Sequence, residues 1–128
     1  MKKKTIKVLK IAPHCKPEIV TLINALEALQ EAVSEGADSV GLIEIIPLTD
    51  TARLLCNEEG KLIGLEPNRR IGHDIICGTF YVVGEDREGN LTSLSAKDME
   101  YFKVRFALHE KISAEEAMNA LRFEIYPF

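Results

Sequence analysis

The stretch DIICGTFYVVG, residues 74–84, constrains this chain more than any other. Its residues are apolar at both odd and even positions, so a strand built from it presents hydrophobic side chains to both sides. Such a strand belongs in the middle of a sheet that is covered on both faces. The same stretch contains the longest apolar run, ten residues at 75–84, which is far short of the roughly twenty that a membrane helix needs. No bilayer span is expected. A length of 128 residues suffices for one core, so the chain is expected to form a single domain, 1–128, with the central strand as its axis.

Elements flanking that axis follow from period and punctuation. TIKVLKIAP from Thr5 is rich in β-branched and alternating residues and stops at Pro13, which reads as a first strand and a turn. EIVTLI at 18–23 reads as a second. Asn24 followed by Glu27 has the spacing of a capped helix start, with Leu22, Leu26, Leu29 and Val33 along one stripe and Gly36 closing the helix in a left-handed conformation. GLIEIIPL at 41–48 predicts a strand, with Ile43 and Ile45 on one side, Glu44 on the other and Pro47 marking an edge. ARLLC at 52–56 continues in β character.

EEGK at 58–61 and REGN at 87–90 share one pattern, each with a glycine, Gly60 or Gly89, where a short hairpin loop needs positive φ. Two hairpins are therefore expected. Ser95 with Asp98 and Ser113 with Glu116 have the spacing of N-terminal caps. The first starts a helix with Met99, Phe102 and Phe106 on one face, and the second a short helix with Ala117 and Leu121 inward. FEIYPF at 123–128 is expected to add an edge strand or a packed tail. The fold class that results is α+β: a mainly antiparallel sheet of about five strands, one helix after the second strand, and two C-terminal helices.

Charge narrows the partners. The net charge of −4 is spread evenly, with 8 bases and 9 acids in residues 1–64 and 8 and 11 in residues 65–128. Nucleic-acid binding needs a basic face, and Lys2, Lys3, Lys4, Lys7 and Lys10 are better explained as a solvated end beside the first strand. Lys7 and Lys10 also interrupt any signal-peptide hydrophobic region. Cys15, Cys56 and Cys77 have neither metal nor redox spacing, which points to reduced thiols in a cytoplasmic setting.

The segments LINALEALQEAV at 22–33, LLCNEEGKLIGLEPNR at 54–69, DIICGTFYVVG at 74–84 and TSLS at 92–95 together resemble the domain of unknown function 3846 family. The resemblance covers about 5–106, leaving 107–128 as a C-terminal extension. It implies a cytosolic accessory protein of bacterial, phage or mobile-element origin and carries no established activity. The chain departs from the family pattern at Glu66 before Pro67, in the longer SEGADSVG connection, and in the residues after Phe106.

Asn57, Asn68, Arg69 and Thr79 are the candidate binding residues. Two amides and a guanidinium around a Pro-containing loop have the donors to hold an anion or a partner's carboxylate. The competing structural role is that the amides satisfy turn backbone and Arg69 pairs with an acid. As a binding residue, Arg69 would be removable without loss of stability. Thr79 follows Gly78, whose position inside a strand signals close approach of a backbone or ligand. Glu58 and Glu59 are adjacent and solvated, unsuited to acid–base work.

No metal is expected. His73 and Cys77 on one strand would stand roughly 13 Å apart, and His14 and Cys15 would face opposite ways if extended. No phosphate loop, dinucleotide fingerprint or serine elbow occurs, so neither a cofactor nor a catalytic residue is assigned. The function expected is a non-catalytic module that binds another protein, with no nucleic-acid or membrane partner. The alternative is a small-molecule or nucleotide-binding domain, or an enzyme, that uses the Asn68/Arg69 loop.

Overall fold

The computed structural model describes residues 4–125, with side chains described through residue 119. A six-stranded antiparallel sheet forms the centre: β1 (Thr5–Ile11), β2 (Glu18–Ile23), β3 (Ile43–Pro47), β4 (Ala52–Asn57), β7 (Phe80–Glu85) and β8 (Leu91–Thr92). The strands run in the order β2-β1-β7-β4-β3, with β8 on β7. A separate two-stranded ribbon joins β5 (Pro67–Ile71) to β6 (Asp74–Cys77). The helices are α1 (Leu26–Val33), α2 (Ala96–Arg105) and α3 (Ala114–Ile125). This is the α+β architecture expected from the sequence.

Strand β7 occupies the middle of the sheet, and its alternation explains why both faces are covered. Phe80 and Val82 face a core that contains Leu9, Ile11, Leu54, Ile76 and the inner side of α2, namely Met99, Phe102 and Phe106. Tyr81 and Val83 face the opposite core, with Val8, Leu55 and the α1 residues Leu29 and Val33. One aromatic contact fastens α2 to β7, the Phe80 and Phe106 rings meeting edge to face at 5.3 Å, and within the helix Phe102 stacks on Phe106 at 6.0 Å. Both serine caps form as expected, Ser95 Oγ accepting from Asp98 N–H at 3.1 Å and Ser113 Oγ from Glu116 N–H at 3.0 Å.

The structure corrects several expectations. DIICGTFYVVG is two strands in two different sheets, because Gly78 has φ +87° and turns the chain out of the ribbon before β7 begins. A Cβ on Gly78 would stand 2.7 Å from Leu65 Cδ1, so that turn also needs the missing side chain. Only the REGN loop is a hairpin of the kind expected, with Gly89 at φ +86° and Asp86 N–H bonded to the Asn90 carbonyl at 2.9 Å. After β4 the chain coils through consecutive turns at 58–64, and β4 pairs with β3 and β7 rather than with β5. The positive φ there belongs to Gly64 at +75°, not to Gly60. Position 60 must be glycine for another reason: a Cβ there would lie 2.6 Å from the Cys77 carbonyl oxygen.

A hairpin that went unanticipated joins β5 to β6 through Gly72 and His73, with Gly72 at φ +60°. Asn24 does not cap α1. Extended Ala25 precedes the helix, and the Asn24 amide donates across to the Leu91 carbonyl at 3.0 Å. Leu26 is 67% exposed, so the buried stripe of α1 is Leu29 and Val33 alone. Residues 123–125 complete α3 instead of forming an edge strand. Residues 126–128, and the side chain of Leu121, lie outside what is described.

Because the Cys77 oxygen is backbone and cannot swing aside, Gly60→Ala is expected to lower stability by about 1–3 kcal/mol through overpacking. Urea denaturation measures this. A variant as stable as the parent would mean that the 58–64 coil does not press on β6.

Candidate functional site

Strand β5 opens with three consecutive buried residues, Pro67, Asn68 and Arg69, which a regular strand with alternating sides would not produce. The register explains it. Pro67 pairs with Cys77 and Arg69 with Ile76, so Asn68 is the extra residue of a bulge and turns inward beside Arg69. Asn68 is fully buried and Arg69 is 1% exposed.

Each donor reaches a different part of the chain. Asn68 Nδ2 donates to the Ile11 carbonyl at 2.9 Å, at the end of β1, and to the Gly78 carbonyl at 2.8 Å, at the turn into β7. Its Oδ1 accepts from Arg69 Nη1 at 2.7 Å. Arg69 Nη2 donates to the Cys15 carbonyl at 2.7 Å and to the Phe106 carbonyl at 3.0 Å. Phe106 is the C-cap of α2, so the guanidinium sits against the negative end of that helix. Burial pulls the Arg69 pKa down, opposed by the attraction of Glu110. A guanidinium remains charged despite such a shift. Among the described residues its Nε is the one buried side-chain polar atom without a hydrogen-bond partner.

The next residue works on the outside. Arg70 N–H and Nη1 bond Glu110 at 2.9 and 2.6 Å, and Nη2 bonds Glu116 at 2.6 Å, tying the ribbon to α3. That contact with Arg70 holds the Glu116 carboxyl below its ordinary range. Nearby, His14 adopts φ +63°, a left-handed conformation that residues with a side chain rarely take. Its Nε2 lies 3.0 Å from Glu66 Oε1, and its ring meets His109 edge-on at 6.1 Å.

Asn57 and Thr79 stand apart from this pair yet border the same region. Asn57 Nδ2 donates to Ser34 Oγ at 3.2 Å, and its Oδ1 accepts from Glu59 N–H at 2.9 Å. Thr79, 3% exposed, lines a cleft of about 310 Å3 with Gly36, Gly64, Gly78, Glu35 and Glu66. Three sides of the cleft are at or next to residues held by these candidates: Ser34 by Asn57, Cys15 by Arg69 and Gly78 by Asn68, while residues 63–66 form the remaining side. Sequence inspection found Asn57, Asn68 and Arg69 through their density of polar groups and Thr79 through the glycine before it. It did not bring Gly78, His14 and Glu66 together with them, because that association depends on the fold.

The buried thiols are poor nucleophiles. Burial, reinforced by Glu44, pushes Cys56 up to about 12, and burial pushes Cys77 up to about 11. Glu58 and Glu59 are both exposed. Among the described residues no group of three or more His, Cys, Asp or Glu is placed to hold a metal ion.

The geometry gives Arg69 a structural load. Arg69→Ala is expected to cost about 3 kcal/mol or more, because carbonyls from two segments and the Asn68 oxygen lose their donor in a dry interior. Arg69→Lys should recover under half of it, since one ammonium cannot span donors spread over a planar fork. Urea denaturation of both variants measures these losses; near-parental stability of the alanine variant would show the clamp to be dispensable.

No curated protein and no solved structure matches the chain. A family model described as Domain of unknown function (DUF3846) matches residues 6–107. That span begins one residue into β1, ends one residue past the α2 C-cap, and contains the bulge, both sheets and the cleft, while α3 falls outside it. On that match, the chain belongs to the DUF3846 family.

Proposed function

We propose that the protein is a non-catalytic protein-binding module whose contact surface is the outer side of α2. The supporting observation is the exposure of large apolar side chains there: Tyr101 at 57%, Val104 at 76%, and Leu108, just past the helix, at 83%. The outer side of a surface helix is ordinarily polar, and clustered apolar groups rimmed by charge are a feature of interaction sites. Beside them runs a groove of about 350 Å3 lined by Lys16, Pro17, Lys103, Ala107 and Leu108. Its rim carries two lysines, Lys16 and Lys103, the second 3.6 Å from Glu100 on the same helix. The partner it suits is a protein presenting an apolar anchor flanked by carboxylates. Three free cysteines, one of them exposed, support a reducing cytoplasmic setting, and the family resemblance supports a bacterial, phage or mobile-element origin.

Site-specific photocrosslinking in bacterial cells tests this. A crosslinker replacing Val104 is expected to trap a discrete acidic partner, whereas one replacing Glu88, on the β7–β8 loop, is not. Combining Val104→Asp with Leu108→Asp should weaken that partner's binding at least about tenfold with unchanged melting temperature. Equal trapping at 88 and 104, or binding that survives the double substitution, would remove the proposal.

A second reading, a small-ligand site, is favoured by the cleft that Thr79 lines. In this reading Thr79 contacts the ligand, and Asn57, Asn68 and Arg69 hold the walls. A ligand at a hundred times its Kd adds about 2.7 kcal/mol, a melting shift of several degrees. Nucleotides, small anions and small amines form the screen; a shift that Thr79→Val abolishes supports the reading, and no shift with any of them rejects it.

A further inference from the structure

We infer that the outer edge of β2 pairs with β2 of a second copy of this chain, antiparallel about a two-fold axis at Thr21. Strand β2 pairs with β1 in an unbroken register, Thr5 opposite Ile23 through Lys10 opposite Glu18. The direction of each residue's N–H and C=O follows from bonds at the ends of that ladder. Asn24 N–H bonds the Lys4 carbonyl at 2.9 Å, so the even positions of β2 face β1. Consistently, Lys7 turns away from β2, its N–H to Ser93 Oγ and its carbonyl to Leu94 N–H, each at 2.9 Å. In an antiparallel ladder the direction alternates residue by residue. Ile19, Thr21 and Ile23 therefore point their backbone groups away from β1, and β2 is the terminal strand of the sheet on that side.

Little on β2 guards this edge. Natural sheets blunt exposed edges with lysine, proline, bulges or short strands. EIVTLI has one charge, at its first residue, no proline and no register break. Its apolar side chains reach solvent, with Ile19 at 45% and Ile23 at 40% exposure. The other terminal strand, β3, is shorter and ends in Pro47.

Self-complementarity selects a second copy as the occupant. With Thr21 opposite the partner's Thr21, Ile19 faces the partner's Ile23 and Val20 faces the partner's Leu22. Every pair then joins like with like on the same side of the sheet. The same alignment puts the outward-pointing residues Ile19, Thr21 and Ile23 in the hydrogen-bonding positions, where the Ile23 carbonyl, which already accepts from Ala25 N–H at 2.9 Å, takes the N–H of the opposite Ile19 on its second lone pair. Alternative registers do worse. Shifting so that Thr21 meets the partner's Ile19 sets Pro17, which has no N–H, against the partner's Ile23. The reverse shift runs past the end of β2 at Ile23.

Sedimentation equilibrium of the full chain tests the pairing. Mass should rise with concentration towards twice the 14.3 kDa of one chain. Thr21→Pro removes an N–H that β1 does not use, so it should leave the fold intact by circular dichroism and weaken self-association at least about tenfold. Amide exchange read by NMR supplies a second measurement if that variant fails to fold. Protection at Ile19, Thr21 and Ile23 should increase with concentration while that at Val20 and Leu22 stays constant. A chain monomeric at millimolar concentration, a dimer unaffected by Thr21→Pro in a folded variant, or exchange at the three odd positions indifferent to concentration would each overturn the inference.

Discussion

One buried cation holds the parts of this molecule in register. The two sheets share no ladder, yet Arg69 and its neighbour Asn68 bond the end of β1, the turn after it, the crossover at Gly78 and the end of α2. Carbonyls converging on an interior point would be costly if left unpaired. A planar guanidinium answers them with donors at fixed angles, and an amide passes the remaining bonds on. The arrangement constrains geometry in a way that packing alone does not, because each of these hydrogen bonds has a preferred direction.

The same constraint accounts for the oddities clustered nearby. Seating two consecutive polar side chains inside requires the bulge at Asn68. Turning from the ribbon into β7 next to that bulge requires a left-handed residue, supplied by Gly78. Fixing the Cys15 carbonyl on Arg69 holds the β1–β2 turn where His14 takes φ +63° beside Glu66. The cleft lined by Thr79 opens where these turns meet the segment after α1 and the coil that leads into β5.

Local signals in the sequence were readable wherever the structure is local. The β character of TIKVLKI and EIVTLI and the caps at Ser95 and Ser113 each involve residues a few positions apart, and each appears as expected. What escaped depends on distant contacts. Gly60 is required by Cys77, and Asn24 is drawn from a capping role by Leu91, far along the chain in both cases. Apolar character on both faces of DIICGTFYVVG was a true sign of burial, but hydrophobicity does not reveal that one buried run is shared between two sheets. Asn57, Asn68 and Arg69 stood out by composition and Thr79 by the glycine before it; that all four are buried depends on contacts distant in sequence.

The two surfaces assigned to partners are geometrically related. Ile19 lies opposite Leu9, which packs in the same core as Met99 and Phe102, so the exposed isoleucines of β2 share the face of the sheet that carries α2. A two-fold axis perpendicular to a sheet preserves its faces. Pairing through β2 would therefore set two α2 surfaces side by side on one continuous sheet, with Lys16 and Pro17, which immediately precede β2, near the joint. A module with a single modest groove binds weakly on its own, but a pair held at fixed spacing engages a two-site partner with an effective concentration in place of a second bimolecular step. In that arrangement edge pairing supplies valency and the helix face supplies recognition, so a variant that only dissociates the dimer would lose avidity for a bivalent partner while keeping its affinity for a monovalent one.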